Sequence, residues 1–250
     1  MQIITQQLNQ LKLAGVRQAL EQQLTQASTY AELSFTERLQ LLLEHELTQR
    51  EQRRIDRLIK QARFRQRAEL ADIDYKPKRN MDKAQIRTLS QSEWLTHAHN
   101  LVITGATGCG KTYLACALGV AHCRQGKTVF YFRLKELLEQ MYLSHAEGSY
   151  RKLANKLIKA DLLLIDDWGL EPLNPGQRSD LLELIDGRYS HHSTLIISQL
   201  PISSWYEMIG ESTHADAILD RLIHRSLKIE LQGESMRKMT NPLLQGDQKK

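Results

Sequence analysis

The stretch Gly105-Ala-Thr-Gly-Cys-Gly-Lys-Thr112 decides the fold. It fits G-x-x-x-x-G-K-[ST], directly follows the apolar run Leu101-Val-Ile-Thr104 and opens the helical run from Tyr113 to Arg124. Strand, glycine loop and helix in that order are the context the motif requires. A loop of this kind curls backbone amides around phosphate groups at the positive end of a helix. The candidate ATP-binding set is therefore Gly105, Ala106, Thr107, Gly108, Cys109, Gly110, Lys111, Thr112 and Tyr113. Lys111 is expected to reach the β and γ phosphates, and Thr112 to hold Mg²⁺ through its hydroxyl.

Outward from the loop, short apolar runs alternate with helical segments: Thr128-Val-Phe-Tyr-Phe132, Leu162-Leu-Leu-Ile165, Thr194-Leu-Ile-Ile197 and Leu227-Lys-Ile-Glu-Leu231. Apolar strands separated by helices imply an α/β fold with a parallel sheet covered on both faces. The third run ends in Asp166-Asp167. Asp166 is placed to hold Mg²⁺ through water, and Asp167 to polarise an attacking water. The fourth ends in Ser198-Gln199-Leu200-Pro201, where Gln199, with Ser198 close behind, is the candidate for orienting that water. A turn that starts a helix is the plainer reading of that segment, given Pro201 and a capping box from Ser204 to Glu207. Arg221 and Arg225 lie four apart just before the last strand. They either pair with acids or complete the nucleotide site of a neighbouring subunit.

The first 75 residues differ in kind, with a single glycine and no proline. Leu8, Leu11, Val16, Leu20 and Leu24 form one apolar stripe at helical spacing, and Phe35, Leu39, Leu42, Leu43, Glu46 and Leu47 a second, mostly apolar one. Ser34 and Glu37 form a capping box that starts the second helix. From Arg50 to Arg67, eight basic residues (Arg50, Arg53, Arg54, Arg57, Lys60, Arg63, Arg65, Arg67) face only Glu51 and Asp56. Arg50, Arg53, Arg54 and Arg57 share one helical face. A solvated surface helix is the bland reading. Phosphate-backbone binding to duplex DNA is the sharper one, because arginine forks match phosphate oxygens. Asp74-Tyr-Lys-Pro-Lys-Arg-Asn80 reads as a linker, giving a helical domain over residues 1–77, an α/β domain over 78–240 and a polar tail over 241–250.

The charge balance of 34 Lys+Arg against 29 Asp+Glu and the 41% hydrophobic content suit folded domains and exclude collagen-like or disordered classes. No run approaches the ~20 apolar residues of a membrane helix. The amino terminus lacks a basic n-region and cleavage site, so a cytoplasmic location is expected. Cys109, Cys116 and Cys123, spaced by seven, read as one packing stripe on a helix, and His191-His192 as the polar end of a helix.

Taken together, the phosphate loop, Ile165-Asp-Asp-Trp-Gly169, Ser198-Gln-Leu-Pro201, Asp220-Arg-Leu-Ile-His-Arg225 and Gly233-Glu-Ser-Met-Arg237 resemble the IstB family, AAA+ helper ATPases of insertion-sequence transposition related to the DnaC helicase loader. The resemblance covers nearly the whole chain. It implies an ATPase that forms a homo-oligomer on duplex DNA with ATP at subunit interfaces, distorts the duplex and recruits or stimulates a transposase. Carried over, Lys111 and Thr112 take the phosphate-loop roles, Asp166 and Asp167 the metal and water roles, and Ser198 or Gln199 the first sensor role. Arg225, with Arg221 second, is the arginine acting across the interface, and Arg237 matches a second sensor. Asp167 stands where AAA+ proteins often have Glu, which implies slow turnover, and a carboxy-terminal helical lid is expected to be absent. The stretch Arg133 to Lys159 resembles the inserted helix of the initiator clade, with Ser149, Tyr150, Arg151 and Lys152 as candidate DNA contacts. The alternatives are a replicative helicase loader and a P-loop kinase of a small molecule.

Overall fold

The computed structural model describes residues 2–75, 80–210 and 212–233. The chain falls into two compact units, divided between Arg57 and Leu58.

The first unit contains α1 (Gln2–Gln10), α2 (Ala14–Thr25) and most of α3 (Phe35–Ala62), which runs through the division. Its small core is Val16, Ala19 and Leu42, with Leu8, Leu13 and Leu20 packed against it. The Ser34–Glu37 capping box forms as expected, Glu37 Oε2 accepting the Ser34 N–H at 2.8 Å and Ser34 Oγ accepting the Glu37 N–H at 3.3 Å. The two apolar stripes do not pack as expected. Lys12 adopts φ +55° and breaks the helix between Leu8 and Val16, which leaves Leu11 exposed, and Leu24 is exposed as well. In α3, Leu42 is buried while Phe35, Leu39, Leu43 and Leu47 are exposed, because two short helices cover only one narrow face. Glu46 is buried for a polar reason: its Oε2 accepts the N–H groups of Gly15 and Val16 at 2.6 and 3.1 Å. It thereby caps the otherwise unsatisfied first turn of α2.

The second unit is built on five parallel strands, β1 (Asn100–Gly105), β2 (Val129–Arg133), β3 (Leu162–Trp168), β4 (Ser193–Ser198) and β5 (Ser226–Leu231), in the order β2-β3-β4-β1-β5. The helices are α4 (Lys83–Leu89), α5 (Glu93–Thr96), α6 (Lys111–Arg124), α7 (Leu134–Ala146), α8 (Tyr150–Ile158), α9 (Pro175–Arg188), α10 (Trp205–Ile209) and α11 (Ser212–Ile223). Leu101, Ile103, Leu164 and Ile197 turn towards α6, and Val102, Leu163, Ile165 and Ile196 towards the layer of α7, α9 and α11. Burial on both faces explains why β1, β3 and β4 are aliphatic runs without alternation, whereas the edge strand β5 alternates and exposes Lys228 and Glu230. Right-handed crossovers account for the sides: the β1–β2 connection steps across the sheet one way and all later connections the other.

Four details differ from the sequence reading. Leu58, Ala62, Ala68 and Ile73 are buried in the core that faces α6, so the packing changes about twenty residues before the boundary expected at 77. Cys109 lies in the loop before α6 and only Cys116 and Cys123 lie on the helix, although all three are buried thiols outside any disulfide. His191 and His192 follow the end of α9 in a turn, and Ser204 makes no side-chain cap at α10. Among the described residues, no helix is long and apolar enough to cross a membrane.

Candidate nucleotide-binding site

The loop between β1 and α6 lies at the carboxyl ends of the strands, where open α/β sheets bind ligands. Gly110 enters α6 with φ +94°, a left-handed conformation that a side chain would strain, so the glycine there lets the first amides of α6 face the loop. Lys111 is buried, and its Nζ donates to the carbonyls of Gly105 at 2.7 Å and Ala106 at 2.9 Å. Thr112 Oγ1 donates to Asp166 Oδ2 at 2.8 Å, joining the helix start to the end of β3.

Neighbouring side chains on a strand point to opposite faces, yet Asp166 and Asp167 line one cavity of about 560 Å³. A bulge resolves this. Ile165 pairs with Ile196 and Trp168 with Ser198, so β3 carries one extra residue here, and Asp167 takes φ +57°. Asp166 is 2% exposed and receives the Thr112 hydroxyl, the Tyr131 hydroxyl at 2.8 Å and the Asp167 N–H at 2.8 Å. Burial, and then the Asp166 charge, push the Asp167 carboxyl above the ordinary aspartate range, against the pull of Arg65, Arg133 and Lys111. Burial, reinforced by Asp166, pushes Tyr131 up as well, so it remains a hydroxyl donor.

At the end of β4, Gln199 accepts a hydrogen bond from Thr107 Oγ1 of the glycine loop. Ser198 is buried and its hydroxyl is engaged, donating to the Trp168 carbonyl at 2.8 Å and accepting from the Leu200 N–H at 3.0 Å. Both residues line the cavity; Gln199 is joined there to the glycine loop, and Ser198 to the bulged end of β3. The opposite wall comes from the residues before the core. Arg65, Gln66 and Ile73 line the cavity with Met81 and Tyr113. Among these contributors, the sequence reading counted Arg65 only as one more basic residue and gave no role to Ile73 or Met81. A usable signal was Gly119, in the middle of α6, where an added Cβ would lie 2.5 Å from Phe64 Cε1. A glycine inside a helix marks a close approach, here by the segment carrying Arg65.

A family model described as IstB-like ATP binding protein matches residues 6–243. The chain belongs to this family. The IstB-like chain is 42% identical over 231 residues to an insertion-sequence ATP-binding protein of Sinorhizobium fredii, which covers 92% of this chain and 94% of that one. Its fold is similar to the crystal structure of the DnaC helicase loader (TM-score 0.53, 20% identity, 60% of this chain and 87% of that one). It is also similar to AMPPCP-bound DnaA from Aquifex aeolicus (TM-score 0.58, 18% identity, 70% of this chain and 53% of that one). The architecture is the expected one in its fold: a parallel-sheet α/β domain with a phosphate loop, following a helical amino-terminal portion.

In this IstB-like protein the two late arginines stand apart from the cavity. Arg225 immediately precedes β5, whose Ser226 pairs with Asn100 at the start of β1, so it lies at the far end of the sheet from Gly105. The separation is roughly 20 Å at the rise of a strand. Arg225 is exposed, whereas Arg221 donates to Asp186 Oδ1 at 2.6 Å. Arg237 lies outside the described residues.

Of the expected DNA contacts, Arg50, Arg53, Arg54 and Arg57 are exposed in the first unit and Lys60, Arg63 and Arg67 in the second. Arg50 pairs with Glu46 at 2.7 Å and Arg54 with Glu51 at 3.6 Å, while Arg53 donates to Gln49 at 2.6 Å. Lys152 is exposed, but the Tyr150 hydroxyl donates to Glu183 at 2.7 Å and its ring stacks on His145 at 3.8 Å, so Tyr150 is occupied in packing α8.

Proposed function

We propose that this IstB-like protein is an ATPase that assembles on duplex DNA, bends it and brings a transposase to act there. The convergence of Lys111, Thr112, Asp166, Asp167 and Gln199 around one cavity carries this reading. A buried carboxylate beside a hydroxyl is a hard-oxygen corner that suits Mg²⁺, which takes one or two carboxylates together with phosphates and water. When bound there, Mg²⁺ would neutralise phosphate charge and align the β and γ groups.

The chain's own residues supply the rest. Lys111 exchanges loop carbonyls for phosphate oxygens. Asp167, with its carboxyl raised by burial and Asp166, accepts the proton of the attacking water, and Gln199 orients that water. Arg225 is too far from its own loop to serve it. Its exposure at the other end of the sheet suits a role in the neighbouring chain's site, which would tie ATP to assembly. Assembly multiplies the exposed Arg53, Arg54 and Arg57 along a duplex, and such an array can offset the elastic cost of a bend, on the order of 1–6 kcal/mol.

Electron microscopy of the protein with Mg²⁺, a long duplex and either ATP or ADP tests the reading. ATP-dependent oligomers on curved DNA are expected, together with release of free phosphate. A monomer indifferent to DNA under both conditions would overturn it. Capture of the transposase, and not of the replicative helicase, distinguishes this function from helicase loading.

A further inference from the structure

The segment after α3 is clipped to α6 at four places. Arg63 ends α3 in a left-handed conformation, φ +55°. The Phe64 ring then lies against the backbone of Gly119. The backbone of Arg65 and Gln66 meets the Cys116 thiol. The Glu69 N–H donates to Tyr113 Oη at 3.2 Å, and the Glu69 carboxylate takes both Arg124 terminal nitrogens at 2.6 Å. Every clip is on the helix whose first turn holds Lys111 and Thr112.

So held, Arg65 places Nη1 3.9 Å from Asp166 Oδ2 and 3.7 Å from Asp167 Oδ2. Its side chain is one-third exposed and lines the cavity. These separations exceed a direct hydrogen bond, so the guanidinium balances both acids without being fixed to either. Asp166 Oδ2, one of the oxygens it faces, is also the one bonded to Thr112. A divalent ion brought to that corner would repel the guanidinium, whereas a terminal phosphate would attract it.

We propose that Arg65 is an arginine of this nucleotide site supplied by the same chain, which balances Asp166 and Asp167 and moves onto the γ-phosphate when Mg²⁺·ATP enters. The strap 64–74 then distinguishes triphosphate from diphosphate. The inference rests on the reading of the cavity as the nucleotide site. Arg133 provides a control: its Nε lies 3.6 Å from Asp167 Oδ2, but it also pairs with Glu136 at 3.7 Å and does not line the cavity.

The test is calorimetric titration of the full chain with Mg²⁺·AMPPNP and Mg²⁺·ADP, together with hydrogen exchange over residues 64–74. Arg65→Ala should lose roughly tenfold or more in AMPPNP affinity, the worth of one charge-assisted hydrogen bond, with ADP changed less than about twofold. Arg65→Lys, which keeps the charge and loses the fork, should fall between Arg65→Ala and wild type, and Arg133→Ala should affect the two nucleotides equally. In the wild-type protein AMPPNP, but not ADP, should alter exchange in the strap, and Arg65→Ala should abolish that difference. Equal losses for both nucleotides in Arg65→Ala, or no loss for either, would overturn the proposal. Failure of the wild-type chain to bind any nucleotide, with Lys111→Ala indistinguishable from it, would instead overturn the site reading and this inference with it.

Discussion

Gly119→Ala probes the strap through its packing. Alanine in the middle of a helix is ordinarily better than glycine by about 0.8–1.0 kcal/mol. Here the added methyl would sit 2.5 Å from Phe64 Cε1 and 2.8 Å from Cζ, against the ~3.5–4.0 Å of a relaxed carbon contact. The ring must therefore retreat by roughly 1 Å, an overpacking that typically costs about 1–3 kcal/mol. The sum is a net loss of up to ~2 kcal/mol. In a Phe64→Ala background the obstacle is gone, so the same substitution should stabilise by close to 1 kcal/mol. Equilibrium urea unfolding followed by tryptophan fluorescence reads this cleanly, because Trp94, Trp168 and Trp205 all lie in the second unit. The decisive feature is the change of sign between the two backgrounds, a coupling of ~1–3 kcal/mol. If Gly119→Ala stabilises both backgrounds equally, Phe64 does not rest on α6 and the placement of Arg65 loses its support.

The remaining expectations concern separate parts of the molecule. Lys111→Ala should abolish ATP binding, whereas Asp167→Asn should keep binding and slow phosphate release at least a hundredfold, the scale of lost general-base catalysis; equal loss of binding in both would contradict the division of roles. Replacing Arg53, Arg54 and Arg57 together with Ala should weaken binding to every duplex and reduce the slope of log K against log salt by about 2.7. An unchanged slope in filter binding would return that face to plain solvation. Burial lowers the pKa of His122 to about 4 from the ordinary histidine value of 6.5. Since the unfolded chain takes up the proton first as pH falls, stability should be lost between those two values, by roughly 3 kcal/mol in all. Urea midpoints from pH 4 to 7 should show that loss in the wild-type protein and a shallower one in His122→Gln. Parallel profiles would contradict the burial.

How much of this was legible in sequence depended on whether a local pattern was enough. All five strands were foreseen: burial on both faces writes β1, β3 and β4 as runs of aliphatic residues, β2 is a run of aromatics, and the edge strand β5 alternates as Leu227-Lys-Ile-Glu-Leu231. The phosphate loop and Asp166 were legible because their chemistry needs fixed residue types at fixed spacing. Asp167 was foreseen as an acid, but not the bulge that turns it into the same cavity, since that depends on the β3–β4 register. Arg65 was absorbed into a basic run, and only the left-handed Arg63, which ends the helix before it, separates it from the arginines of α3. Gln199 was preferred to Ser198 by a narrow margin on paper. Their different surroundings were not legible: the Ser198 hydroxyl donates to the Trp168 carbonyl, whereas Gln199 accepts from Thr107. The exposure of Leu43 and Leu47 was hidden for the opposite reason, because periodicity shows a stripe without showing what covers it.

The claim that one chain's cavity is finished by another chain's arginine is tested most directly by mixing two variants that are each inactive. Arg225→Ala keeps an intact phosphate loop, and Lys111→Ala keeps an intact Arg225. Combined in equal amounts with ATP and duplex DNA, they should restore hydrolysis at roughly a quarter of the interfaces, the share expected from random assembly. A mixture that releases no more phosphate than either variant alone would contradict the shared site.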